Sequence, residues 1–292
     1  MTYKVYSLQN PPRLLRTITG GNFFSASDTD LDGRVEIWTA DAAAVDGFES
    51  LVVNELDSAP TMVLRFERSR LVDVSSEFRP HYDQEIAKLR AELNSQDLGD
   101  FKNSDGKLAT TASLSAQQLH RLRGVKIKVI EVAWSYLYSG REQEAWRTLA
   151  EMWPDSDVDR IRAAIVNTRA HGIHAQVDGA STGAPAGRKK SAQVFDTIGR
   201  STPNRSEVTP PQPILLRRPA PVASEQGLTD SELLLDLLID SAGKVRSVEP
   251  AGNTKSPDPD LIKATTEWTF VPALKSGHAV ASRFRLAVSA KR

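Results

Sequence analysis

Leu233-Leu234-Leu235-Asp236-Leu237-Leu238-Ile239 runs into Asp240-Ser241-Ala242-Gly243-Lys244 and on into Val245-Arg246-Ser247-Val248-Glu249. The first segment alternates as a strand does, with Leu233, Leu235, Leu237 and Ile239 on one face. Leu234 and Leu238 make the other face apolar as well, so that face is expected to be covered. The five-residue break is polar and contains Gly243, which permits a tight reversal into a second strand over 245–249. A helical run over 260–267 follows, then Trp268-Thr269-Phe270-Val271-Pro272-Ala273, a turn at Lys275-Ser276-Gly277, and a strand over 280–288. In that last strand Val280, Ser282, Phe284, Leu286 and Val288 share one face, and Ala281, Arg283, Arg285 and Ala287 the other. The order is β-β-α-β, and Leu235, Trp268 and Phe284 are expected to meet in one apolar centre.

That order and those segments resemble the C-terminal domain of TonB-family energy transducers over residues 212–292. The carriers of the likeness are Leu237-Leu238-Ile239-Asp240-Ser241-Ala242-Gly243-Lys244-Val245, Trp268-Thr269-Phe270-Val271-Pro272-Ala273 and Ser276-Gly277 before the final strand. The resemblance implies a domain that binds a protein or peptide partner in the bacterial envelope, by adding a strand to a sheet edge, and that catalyses nothing. Two features of the family are missing from the sequence: a membrane anchor ahead of the domain, and Tyr-Pro before the first strand, where Arg217-Arg218-Pro219-Ala220 stands. The expectation is therefore a TonB-like module in another architecture.

Working outward, residues 176–211 read as a flexible linker, rich in proline and glycine and including the basic run Arg188-Lys189-Lys190. Val194-Phe195-Asp196-Thr197-Ile198 is an apolar exception, expected to dock on a domain. Residues 77–175 read as an α-helical domain. Tyr82, Ile86, Leu89 and Leu93 form a stripe in a helix over 79–93. Ser115 and Gln118 form a capping box that opens a long helix to about Ser139, with Leu122, Val125, Val129, Val132 and Tyr136 facing inward. Gly140 interrupts it; helices over 142–152 and from about 158 follow, the second capped by Asp155 or Ser156 and ending at Gly172. Residues 1–76 read as a β-rich segment with strands over 4–7, 14–18, 35–38 and 62–66, too few to close a core of their own. The fold class expected is α+β and multidomain: a short N-terminal β segment, a central helical bundle and the terminal β-β-α-β domain. Residues 1–175 also resemble the body of exported proteins of acidobacterial type.

Within the β-rich segment, Asp28-Thr29-Asp30-Leu31-Asp32-Gly33-Arg34-Val35-Glu36 is the strongest chemical signal. Carboxylates alternate through a turn that Gly33 allows, and clustered hard oxygens suit calcium. Asp28, Asp30, Asp32 and Glu36 are the expected side-chain ligands, with the backbone carbonyl of Arg34. The pattern is not an EF-hand, because Glu36 stands at the ninth position and Thr39 at the twelfth. It resembles the calcium loops of integrin-type propeller repeats, which implies a structural Ca2+. A solvated hairpin turn that caps its own amides is the alternative reading.

Composition bounds the rest. The 292 residues hold 37 acids and 37 bases, so net charge gives no pull toward nucleic acid. With no cysteine, thiol nucleophiles and thiolate metal sites are excluded. No run approaches the roughly 18 apolar residues of a membrane span, and residues 1–10 lack the apolar core of a signal peptide. Periplasmic or secreted location would then need an export signal outside this sequence. His171 and His174 suit a helix end, His81 is expected to be exposed, and Glu77, Asp83 and Glu85 suit a helix start. No catalytic set emerges. The leading expectation is a non-enzymatic envelope or secreted protein that binds a protein or peptide. The alternatives are a hydrolase-type enzyme with its site in the helical domain and a structural module of a larger envelope assembly.

Overall fold

The computed structural model describes residues 1–7, 11–50, 59–67, 69–108, 115–180, 193–198, 208–216, 232–251 and 259–289. The basic run at 188–190, residues 217–220 and the prolines and glycines of 181–192 and 199–207 lie outside them. The chain is α+β and divides into two compact units. Unit 1 comprises Met1–Ser25 and Ile37–Pro185; unit 2 comprises Ala26–Glu36 and Ala186–Arg292.

In unit 1, β1 (Thr2–Ser7) and β2 (Arg13–Thr19) form an antiparallel hairpin. A five-stranded sheet follows in the order β3 (Phe24–Ser27), β4 (Glu36–Ala40), β5 (Thr61–Glu67), β6 (Arg70–Asp73), β7 (Gly179–Ala180). The helices are α1 (Arg79–Ala91), α2 (Ser95–Lys102), α3 (Ala116–Tyr138), α4 (Glu142–Met152) and α5 (Val158–Arg169). The capping box forms as the spacing predicts: the Gln118 amide donates to Ser115 Oγ at 3.2 Å, and the Ser115 amide donates to Gln118 Oε1 at 3.0 Å. Gly140, at φ 77°, ends α3 in the left-handed region.

The expected boundary at residue 76 does not separate two cores. Ile18, Val63, Leu64 and Leu71 from the strands belong to the same buried cluster as Tyr82, Val129, Trp134, Leu149 and Ile161 from the helices. Too few strands to close a β core is thus solved by packing them against the helices. Buried polar groups tie the layers. Asp41 Oδ1 accepts from the Ile173 amide at 2.8 Å and Oδ2 from the Tyr138 hydroxyl at 3.0 Å. Burial pushes the Asp41 carboxyl above its ordinary range even so. Lys126, buried on α3, and Arg160 both pair with Glu49, at 3.0 and 2.5 Å.

Neither expected cap for α5 is used. Asp157 occupies the position, but its carboxylate takes the Trp153 indole N–H at 2.9 Å and the Arg160 guanidinium, leaving no side-chain cap. Gly172 does not end α5; the cap residue is Ala170.

In unit 2, β11 (Glu232–Ile239) pairs with β12 (Val245–Pro250) on one side and β15 (His278–Ser289) on the other. The helix α6 (Pro259–Thr265) and two short strands, β13 (Thr269–Val271) and β14 (Ala273–Lys275), stand between β12 and β15 in the chain. The aromatic segment is therefore two strands around Pro272, not one connection. Leu235, Leu237, Ile239, Trp268 and Phe270 are buried together, with Phe284 and Leu286 against them. Register places Leu235 opposite Leu286 and Leu237 opposite Phe284, as the alternation requires.

The expected linker at 176–211 supplies strands instead. Besides β7, it holds β8 (Val194–Asp196), which pairs in parallel with β15, and β9 (Val208–Thr209), which pairs with β14. Just beyond it, β10 (Gln212–Leu215) pairs with β13. Val194-Phe195-Asp196, the apolar exception in the sequence, thus docks on the long terminal strand, and Lys275 Nζ stands 4.6 Å from the Phe195 ring centroid. Among the described residues no helix is long and apolar enough to cross a membrane.

Candidate metal centre

The acidic turn leaves β3 and returns in β4, yet residues 26–36 group with unit 2. They are held to the β11–β12 turn by residues more than two hundred positions away. Ser241 Oγ donates to Asp28 Oδ2 at 2.6 Å, the Asp28 amide donates to Asp240 Oδ2 at 3.3 Å, and Arg246 donates to the Thr29 carbonyl at 3.2 Å. Asp240 also organises its own turn, accepting from the amides of Ala242 and Lys244 at 2.9 Å each. Burial raises the Asp240 carboxyl above its ordinary range, against the pull of those amides. Burial likewise lowers the Lys244 ammonium.

Within the turn, backbone and side chains close on one another. Asp28 Oδ2 accepts from the Gly33 amide at 3.1 Å, and Glu36 Oε2 from the Thr29 amide at 2.8 Å. Leu31 and Gly33 both sit in the left-handed region, at φ 60° and 87°. A Cβ at Gly33 would meet nothing within 4 Å, so the backbone angle alone favours glycine there. Leucine at Leu31 is disfavoured and is held by the bonds around it.

Of the four side-chain ligands expected at a calcium site, the structure gathers three. Asp28, Asp30 and Glu36 each offer an oxygen within 4.8 Å of the others. Asp28 and Glu36 are wholly buried. Asp32 turns aside: its carboxylate accepts from the Arg34 amide at 2.9 Å and from Arg34 Nε at 2.6 Å. The Arg34 side chain therefore serves Asp32. Sequence spacing did not reveal this pairing, nor did it reveal the contribution of Asp240 and Ser241, whose turn reads as an ordinary reversal.

One atom bears on what the cluster could hold. Asp28 Oδ1 is buried without a hydrogen-bond partner among the described residues. Such an acceptor costs about 1–3 kcal/mol or more when left unsatisfied. A hard cation satisfies it directly. Calcium–oxygen bonds of about 2.3–2.6 Å put opposed ligands roughly 5 Å apart, which agrees with the spread of the three carboxylates. Backbone carbonyls and water commonly complete such a sphere.

Comparison with known proteins brought no match for this chain, whether among families, curated proteins or solved structures.

Proposed function

We propose that the chain is a non-enzymatic protein of the bacterial envelope or secreted fraction, in which a structural calcium ion at Asp28, Asp30 and Glu36 fixes the conformation of residues 26–36 within unit 2, for the binding of a protein partner. The observation that carries the metal reading is the buried, unpartnered Asp28 Oδ1 beside two further carboxylates. When bound, the ion supplies charge neutralisation and no chemistry. Asp28 and Glu36 would hold it from buried positions, Asp30 from the exposed side. Ser241 and Gly33 keep Asp28 oriented through its other oxygen.

Calorimetric titration of the full chain with CaCl2 tests this. Saturable binding is expected, weakened by more than about tenfold in Asp30→Asn, since even an outer-shell partner is commonly worth that much. Absence of binding, or identical titrations of the two proteins, would sink the reading.

Partner binding by strand addition is favoured by the position of β12. Among the described residues it is the last strand on its side of the sheet, bonded to β11 alone. Its Arg246, Ser247 and Glu249 are exposed, as befits a guarded edge open to backbone pairing. The resemblance of residues 212–292 to TonB-like terminal domains supports the same mode.

A further inference from the structure

A cleft of about 230 Å³ opens in unit 1 between α1 and α3, rimmed by Ala59, Pro60 and Thr61. Helical spacing builds its walls. His81 and Glu85 stand four residues apart on α1, and Glu131 and Ser135 four apart on α3, so each pair shares one helix face. Tyr82 and Trp134 supply aromatic surface and Leu89 an apolar base.

Three observations give the cleft a chemical character. Two carboxylates line it, and Glu131 is only 3% exposed. No lysine or arginine is among its described lining residues. His81, expected to be exposed, lies in its wall instead, with its ring edge-on to Trp38 at 5.1 Å and Nε2 buried without a hydrogen-bond partner among the described residues. In the tautomer that carries its proton on Nδ1, Nε2 offers an acceptor to an N–H group. Carboxylates, an imidazole acceptor and aromatic faces in one half-enclosed space select a positive charge carried on an apolar body.

We infer that this cleft binds a small organic cation, a primary ammonium on an apolar body, with Glu131 and Glu85 receiving the ammonium and Tyr82, Trp134 and Leu89 the apolar part. The site lies wholly in unit 1 and is independent of the calcium reading.

The probe is 2-phenylethylamine, set against its neutral counterpart 2-phenylethanol, in calorimetric titrations of the full chain. The amine is expected to bind and the alcohol to bind at least about tenfold more weakly, the worth of one charge-assisted hydrogen bond. Glu131→Gln and Glu85→Gln should each weaken the amine by a similar factor. Glu85 is the less buried of the two, so Glu85→Gln carries the test if Glu131→Gln does not fold by circular dichroism. No binding of the amine, equal binding of amine and alcohol, or an unchanged affinity in a folded Glu85→Gln protein would overturn the assignment.

Discussion

Glu49 shows how single residues set the electrostatics of unit 1. Burial by itself would raise its carboxyl, but the Arg160 and Lys126 bonds outweigh burial and hold it below its ordinary range. A lowered acid contributes stability that is complete above its unfolded value, about 4.5, and is lost as pH falls through the folded one. Glu49→Gln should therefore flatten the stability–pH curve of unit 1 below that value, measured by urea unfolding across a pH series. A curve of unchanged slope would show that the trio is electrostatically neutral to folding. Lys126 would then also be a buried cation with no net effect, which its 2% side-chain exposure makes costly.

Elements differ in how openly the sequence declares them. The alternation of Leu235, Leu237 and Ile239 carries β11, and the Ser115–Gln118 box carries the start of α3, because both signals are local. Phe24-Ser25-Ala26-Ser27 and Arg70-Leu71-Val72-Asp73 carry little β signal, and the sheet partners of β3 and β6 decide them. Ser95–Lys102 includes Gly99, which weakens its helical pattern; the Asn94 cap, accepting from the Gln96 amide at 2.8 Å, fixes where it starts. Strands β7, β8 and β9 are two or three residues long, and proline and glycine around them read as linker. Of the acidic cluster, the alternating carboxylates were legible; the diversion of Asp32 to Arg34 was not, since it depends on a guanidinium folding back over its own turn. The β11–β12 turn carries a sharper prediction. Gly243 sits at φ 79°, its carbonyl accepts from the Phe270 amide at 2.8 Å, and an added Cβ would lie 1.8 Å from the Phe270 oxygen. Gly243→Ala must strain a left-handed backbone, worth about 1–2 kcal/mol, and displace β13 besides. Hydrogen exchange of the β11 and β15 amides should show the loss of protection; wild-type protection in the variant would mean the turn yields freely.

At the scale of the whole molecule, unit 2 is discontinuous in sequence. Residues 26–36 bring it the buried Asp28, whose side chain and amide reach Ser241 and Asp240. A fragment of residues 186–292 lacks that piece, so the Asp240 carboxylate loses one donor and the Ser241 hydroxyl its acceptor. Such a fragment is expected to melt below unit 2 in the intact chain, and a peptide of residues 24–38 with calcium should raise its melting temperature. Equal melting of fragment and intact unit would show that the acidic turn only rests against the domain. The expected partition at 76, 175 and 211 followed composition, whereas the compact units follow where buried groups find partners.

The bond from Ser241 to Asp28 spans 213 positions of chain. On a ribosome adding about 5–20 residues per second, the acidic turn would emerge roughly 10–40 s before the hydroxyl that orients it. Through that interval three mutually repelling carboxylates have only solvent ions to neutralise them. A divalent ion reaching the turn in that interval would let it take shape ahead of its distant anchor, so chain order and the ionic medium together would govern how promptly the C-terminal unit matures.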